Sequence, residues 1–161
     1  MNNIDMDECI RYVPNVIPKE ESLQLYDDIL KQTKLIRSSV NIMGKSILEP
    51  RKGAWVADNN DKQYTYSGLT REVLLFSDIP ALQKLKDIVE TNCGIKFNSC
   101  LVNYYENGNE YIGWHADKEK ELDQTMIDPV TKQVGTFIAS VSLGQTRKFR
   151  IKQIKATSGW L

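Results

Sequence analysis

Histidine occurs once in these 161 residues, at His115, so imidazole chemistry in this sequence has a single place to happen. Cysteine is nearly as sparse. Cys9, Cys93 and Cys100 are an odd number without paired metal-ligand spacing, which excludes a disulfide framework and reads as reduced thiols. Net charge is also lacking, because 21 Lys and Arg balance 21 Asp and Glu, so overall charge draws the chain to no polyanion. Any nucleic-acid contact has to come from local patches. No apolar run approaches the ~18 residues of a membrane span, and the acidic first residues hold no basic segment followed by an apolar one. The expectation is an intracellular monomer of nucleus or cytoplasm, with no membrane contact and no secretion.

What the sequence does contain is enough apolar residue, 41%, for one domain with a core. Its cations cluster. Lys31, Lys34, Arg37, Lys45, Arg51 and Lys52 form a basic middle with only Glu49 nearby in sequence, and Arg147, Lys148, Arg150, Lys152 and Lys155 run without an acid. An edge strand is expected over 12–17, followed by a helix over about 18–33 with an apolar stripe of Leu23, Tyr26, Ile29 and Leu30. A second helix over 78–92 carries Leu82, Leu85 and Val89, with Gly94 as its stop. Between them lie turns and short strands. Ile42-Met43-Gly44-Lys45 reads as a hairpin tip, and Tyr64 and Tyr66 share one face of a short strand. Residues 97–105 alternate as a strand that places Asn103 and Tyr105 on one face, and Asn107-Gly108 then turns the chain. Residues 118–136 read as a loop. Strands are expected over 137–143, with Phe137, Ala139, Val141 and Leu143 inward, and over 147–151, with Phe149 and Ile151 inward.

His115 and Asp117 stand two apart. In extended backbone, side chains at i and i+2 point the same way, so this imidazole and carboxylate can grip one metal ion. One nitrogen and one carboxylate oxygen suit iron(II), with positions left open for a co-substrate and oxygen.

The ordered set Asn103-x-Tyr105, Asn107-Gly108, Ile112-Gly113-x-His115-x-Asp117-x-Glu119, Ala139-Ser140-Val141-Ser142-Leu143-Gly144 and Arg147-x-Phe149 resembles the AlkB family of iron(II)/2-oxoglutarate dioxygenases, in its nucleic-acid-repair branch. The likeness extends upstream through Ile42 to Lys45, Pro50-Arg51-Lys52 and Tyr64 to Thr70. It implies an α+β fold, with a double-stranded β-helix (jelly-roll) core and two N-terminal supporting helices. The implied activity is oxidative demethylation of alkylated DNA bases, single- or double-stranded, with Fe(II), oxygen and 2-oxoglutarate. By the same resemblance His115 and Asp117 are the metal ligands and catalytic centre, and Asn103 and Tyr105 bind 2-oxoglutarate. Met43 is a wedge that fills the gap left by an extruded base, Arg51 a phosphate contact, Tyr66 a ring stacked on the damaged base, and Glu119 a partner of its edge.

The family pattern also asks for a second metal histidine and an arginine that anchors 2-oxoglutarate. No histidine follows His115, and the last arginine is Arg150. The expectation is therefore one partial domain, incomplete at its C-terminus, with helices and recognition hairpins in 1–95 and the first part of the core in 96–161. Relative to the family, about ten extra residues near 123–132 fall in a surface loop, where insertion costs little. Two further readings stay open: a non-catalytic nucleic-acid-binding remnant, and an oxygenase of the same class acting on RNA or protein.

Overall fold

The computed structural model describes residues 10–42, 44–61, 65–66, 69–117, 122, 125–129, 132 and 134–152. Cys9, Met43, Tyr64 and Glu119 lie outside the described residues, and of Tyr66 only the backbone is described. Helix α1 spans Lys19–Gln32 and helix α2 spans Pro80–Cys93. Glu20 and Glu21 place negative charge in the first turn of α1, where unpaired N–H groups favour it. α2 begins on Pro80, whose missing N–H costs nothing there, and stops at Gly94 in the left-handed region (φ +69°). The helices dock directly. Gln32 Oε1 at the end of α1 accepts the Ala81 N–H of α2 at 3.1 Å, and Lys84 Nζ meets Glu21 at 2.6 Å.

Strands β1 (Ser39–Ile42) and β2 (Lys45–Leu48) form an antiparallel hairpin closed by the pair Ile42 and Lys45, as the sequence suggests. Strand β3 (Lys52–Ala57) is central, antiparallel to β7 (Ser99–Tyr104) and parallel to β6 (Val73–Leu75) in a three-stranded sheet. It is buried almost continuously, which its Gly-Ala-Trp-Val-Ala run allows. Between β3 and β6, strands β4 (Thr65–Tyr66) and β5 (Leu69–Thr70) pair antiparallel.

The core lies where α1 and α2 cover this sheet. Leu25 and Ile29 of α1 meet Val56 of β3, Phe76, Ile79, and Ala81 and Leu82 of α2, with Cys100 and Val102 of β7 packed at the margin. Burying a side chain such as Phe76 or Leu82 contributes about 1.5–3 kcal/mol, which makes this contact the main source of order. The apolar face of α1 is rotated from expectation: Leu25 is inside and Leu23 is exposed. Ile29 belongs to both possible stripes, and packing against α2 and β3 selects between them. Cys93 and Cys100 are free, and burial pushes the Cys100 thiol up to about 12, against a weaker opposite pull from Lys86. It stays protonated and unreactive.

Three other expectations change. Residues 12–17 form a turn, not an edge strand, because Asn15 adopts positive φ directly after Pro14. The stretch read as loop holds a small antiparallel pair, β8 (Met126–Ile127) with β9 (Val134–Gly135). Residues 137–143 and 147–151 are not in strands, and Val141, Phe149 and Ile151 are exposed instead of inward. Alternation defines an inner face only when a neighbouring ladder exists, and none is offered among the described residues. Leu143 alone reaches the core, while Gly144 (φ +79°) sits so close to the Tyr26 ring that a Cβ there would lie 3.0 Å from it.

Candidate metal centre

β7 delivers the chain to the site. Its last residue, Tyr104, is hydrogen-bonded to Tyr26 of α1, whose own phenol is raised by burial and then by that bond. Residues 106–110 then build a tight turn. Asn107 Oδ1 accepts the Asn109 N–H at 2.9 Å, the turn-forming habit of asparagine. The Glu110 carboxylate reaches back to the Glu106 N–H at 2.7 Å. The Asn-Gly turn is therefore real, although residues 111–117 return without forming a strand.

That return brings His115 and Asp117 together. His115 Nδ1 lies 2.8 Å from the Gly113 carbonyl oxygen. A carbonyl only accepts, so Nδ1 carries the proton, and in the neutral ring Nε2 presents a lone pair. Nε2 faces Asp117 Oδ1 at 3.6 Å. Two acceptors pointed at each other repel unless a proton or a cation lies between them. The gap is one that two donor bonds of about 2.1 Å each can bridge. Both side chains are partly open to solvent, and a carbonyl fixing the far nitrogen is the usual support of a metal-bound imidazole. The pair therefore fits a metal ion, while among the described residues no third His, Cys, Asp or Glu joins it.

Cations hold the turn from two sides. Arg37 Nη2 donates to Glu106 Oε2 and Glu110 Oε1, both at 2.6 Å, and its Nη1 donates to the Glu49 carbonyl at 3.0 Å. Lys52 Nζ adds a bond to Glu106 Oε1 at 2.7 Å. On the other side Arg147 donates to the carbonyls of Asn107 and Glu110, and its guanidinium lies 4.7 Å from the Tyr105 ring centre. Trp114, beside His115, has Lys152 Nζ at 4.4 Å and the Arg150 guanidinium at 5.0 Å from its ring centre.

This arrangement shifts the acids. Lys52 first and then Arg37 hold Glu106 below the usual carboxylate value of 4.5, and Glu110 is lowered first by the Glu106 N–H, then by Arg37. Groups lowered in the fold stabilise it at pH above their unfolded value, and that stabilisation is lost as pH falls through the lowered folded values. An NMR titration that follows the Glu106 amide, the donor to Glu110, should therefore give a midpoint below 4.5. A midpoint at or above 4.5 would mean that the clamp is not formed.

Asn103 is exposed on β7 opposite Gly53 of β3, and Tyr105 is half-buried under Arg147. Among the described residues neither polar side-chain end is hydrogen-bonded. Tyr66 lies on β4, where only its backbone is described, and Met43 and Glu119 lie outside the described residues. Arg51 is not at a phosphate-facing surface. It is 5% exposed, with Nη2 3.6 Å from Glu49 Oε1, and Glu49 is also paired with buried Arg71. The basic middle is thus largely neutralised from a distance: Lys34 by Glu72, Arg37 by Glu106 and Glu110, Lys52 by Glu106. The sequence places Arg37 only in a basic run and does not single out its partners Glu106 and Glu110. The available signal was an acid at each end of the Asn107-Gly108 turn, four residues apart.

A model of the 2OG-Fe(II) oxygenase superfamily matches residues 9–159. The chain is 32% identical over 145 residues to the DNA oxidative demethylase ALKBH2 of Arabidopsis thaliana, covering 89% of this chain and 43% of that protein. It is 34% identical to human ALKBH2 over 81% of this chain and 46% of the relative. It is likewise 34% identical to the human alpha-ketoglutarate-dependent dioxygenase alkB homolog 3, over 81% of this chain and 39% of the relative. The chain spans less than half the length of these relatives.

Proposed function

The chain belongs to the 2OG-Fe(II) oxygenase superfamily, in its AlkB family, and from that membership we propose that it serves the oxidative demethylation of alkylated DNA bases. The observation that carries this reading is the facing pair of acceptors, His115 Nε2 and Asp117 Oδ1, with the Gly113 carbonyl setting the tautomer. In this reading the pair holds Fe(II), which with 2-oxoglutarate and oxygen supplies the oxidation of an N-alkyl carbon that departs as an aldehyde. The Gly113 carbonyl holds the proton on Nδ1 and orients the ring, so that Nε2 is the nitrogen offered to the metal. Arg147 fixes the Tyr105 ring and the carbonyls of the turn, and Asn103 and Tyr105 offer an amide and a phenol to 2-oxoglutarate. Tyr66, Met43 and Glu119 keep their proposed roles at the extruded base. The jelly-roll core and its division near residue 95 are part of the same proposal, supported by the superfamily match.

The names of the relatives favour DNA over RNA or protein as substrate. Methylated single-stranded DNA, duplex DNA, RNA and a methylated peptide, each incubated with the protein, iron(II) and 2-oxoglutarate, separate the readings by formaldehyde release. Release from DNA that depends on 2-oxoglutarate is expected. Release from RNA or peptide alone would change the substrate class, and retained DNA without formaldehyde would favour a binding protein.

A further inference from the structure

The β1–β2 hairpin and the arm bearing His115 and Asp117 are separated by about sixty residues of sequence, yet they share one guanidinium. Arg37 stands two residues before β1. Its Nη1 donates to the carbonyl of Glu49, the residue directly after β2, so it closes the base of the hairpin. Its Nη2 donates to Glu106 and Glu110, the two acids that bracket the turn before residues 111–117. Glu110 uses its other oxygen on the Glu106 N–H, so both ends of the turn are fixed by the group that Arg37 holds. The site is partly shielded, with the Arg37 side chain 23% and that of Glu110 13% exposed.

We infer that Arg37 is a positioning residue that couples the β1–β2 hairpin to the metal-bearing arm, so that the hairpin's placement and the orientation of His115 and Asp117 are set together. Only a planar fork satisfies three acceptors in these directions. A lysine ammonium carries the same charge on a single nitrogen and cannot span a backbone carbonyl and two carboxylates in that geometry. Lys52 reaches Glu106 alone and touches neither Glu49 nor Glu110, so it does not replace Arg37. The metal half of the inference rests on the proposed metal reading. The coupling of the two segments rests on the hydrogen bonds alone.

The test is amide hydrogen exchange on the full 161-residue chain, for wild type, Arg37→Gln, Arg37→Lys and Glu110→Gln, together with Co(II) binding as a probe of the His115 pair. Arg37→Gln should raise exchange about tenfold in both the hairpin and residues 106–117, with α1 and α2 unchanged. Arg37→Lys should behave like Arg37→Gln, and Glu110→Gln should loosen the turn if the arginine variants do not fold. Co(II) affinity should fall about tenfold, the size expected when the support of a ligand is lost. Lys84→Gln, which breaks an exposed pair between the helices, should leave all of this unchanged.

Wild-type exchange in the hairpin and turn of Arg37→Gln would overturn the coupling, and so would an equal rise in α1 and α2, which marks general destabilisation. Full rescue by Arg37→Lys would also overturn it, since charge alone would then suffice. His115→Ala separates the two ideas. If it leaves Co(II) binding unchanged while Arg37→Gln still loosens both segments, the coupling stands and the metal reading fails.

Discussion

Replacing Glu49 by alanine is expected to unfold the protein or bring it close to unfolding, with a loss of about 3–5 kcal/mol against the ~5–15 kcal/mol typical of a domain. Glu49 is buried after β2 with two buried arginines against it, Arg51 from the residue before β3 and Arg71 from the lead into β6. The Arg71 head lies against Gly53, where a Cβ would come 3.4 Å from the guanidinium carbon, an ordinary contact, and 3.1 Å from the Val102 carbonyl oxygen of β7, so it is the paired backbone that the glycine accommodates most closely. Removing the carboxylate leaves two cations without their counter-charge in the interior, which costs far more than the pairs themselves contribute. Glu49→Gln should be nearly as damaging, because it preserves shape and removes charge. Replacing Glu49, Arg51 and Arg71 together by apolar residues of similar volume should recover most of the loss. Urea unfolding followed by far-UV circular dichroism reads all three. A loss below about 1 kcal/mol for Glu49→Ala would mean that water reaches the cluster and that the buried pairing is not what fixes these strands together.

Asp117→Ala should abolish iron retention. With the carboxylate gone, His115 is a single neutral donor with no anion to balance a dication, and a loss above about 100-fold in affinity is expected, larger than removal of a supporting group gives. The metal-free protein should melt as the wild type does, since Asp117 is half-exposed and its only ion pair among the described residues is the long one to His115. Metal content after dialysis, measured beside the melting curve, separates loss of a ligand from loss of the fold. Unchanged iron content in Asp117→Ala would place the metal elsewhere.

How far the sequence could be read follows from what kind of information each feature needs. Both helices were legible because 3.6-residue periodicity and stops such as Gly94 are local, and the hairpin at Gly44 because a glycine between two short strands is local too. His115 and Asp117 were legible because two residues of spacing already bring them to one place. The face of α1 was not, because Leu23 and Leu25 are both plausible and only the docking of α2 decides. The basic middle misled, since Glu72, Glu106 and Glu110 are far in sequence from the cations they neutralise, and a charge count along the chain sees only Glu49. Arg51 was drawn inside by that same Glu49. For residues 137–151 the alternating pattern marks a face, yet a pattern cannot supply the neighbouring strand that turns it into a ladder.

Formaldehyde release from methylated DNA by wild type and by His115→Ala, at equal protein and with 2-oxoglutarate present or withheld, tests the proposal most directly. Release by the wild type that requires 2-oxoglutarate and vanishes in His115→Ala is the expected result. Equal release by both proteins would show that the reaction does not pass through the one imidazole in this chain, and would contradict the metal centre and the function built on it.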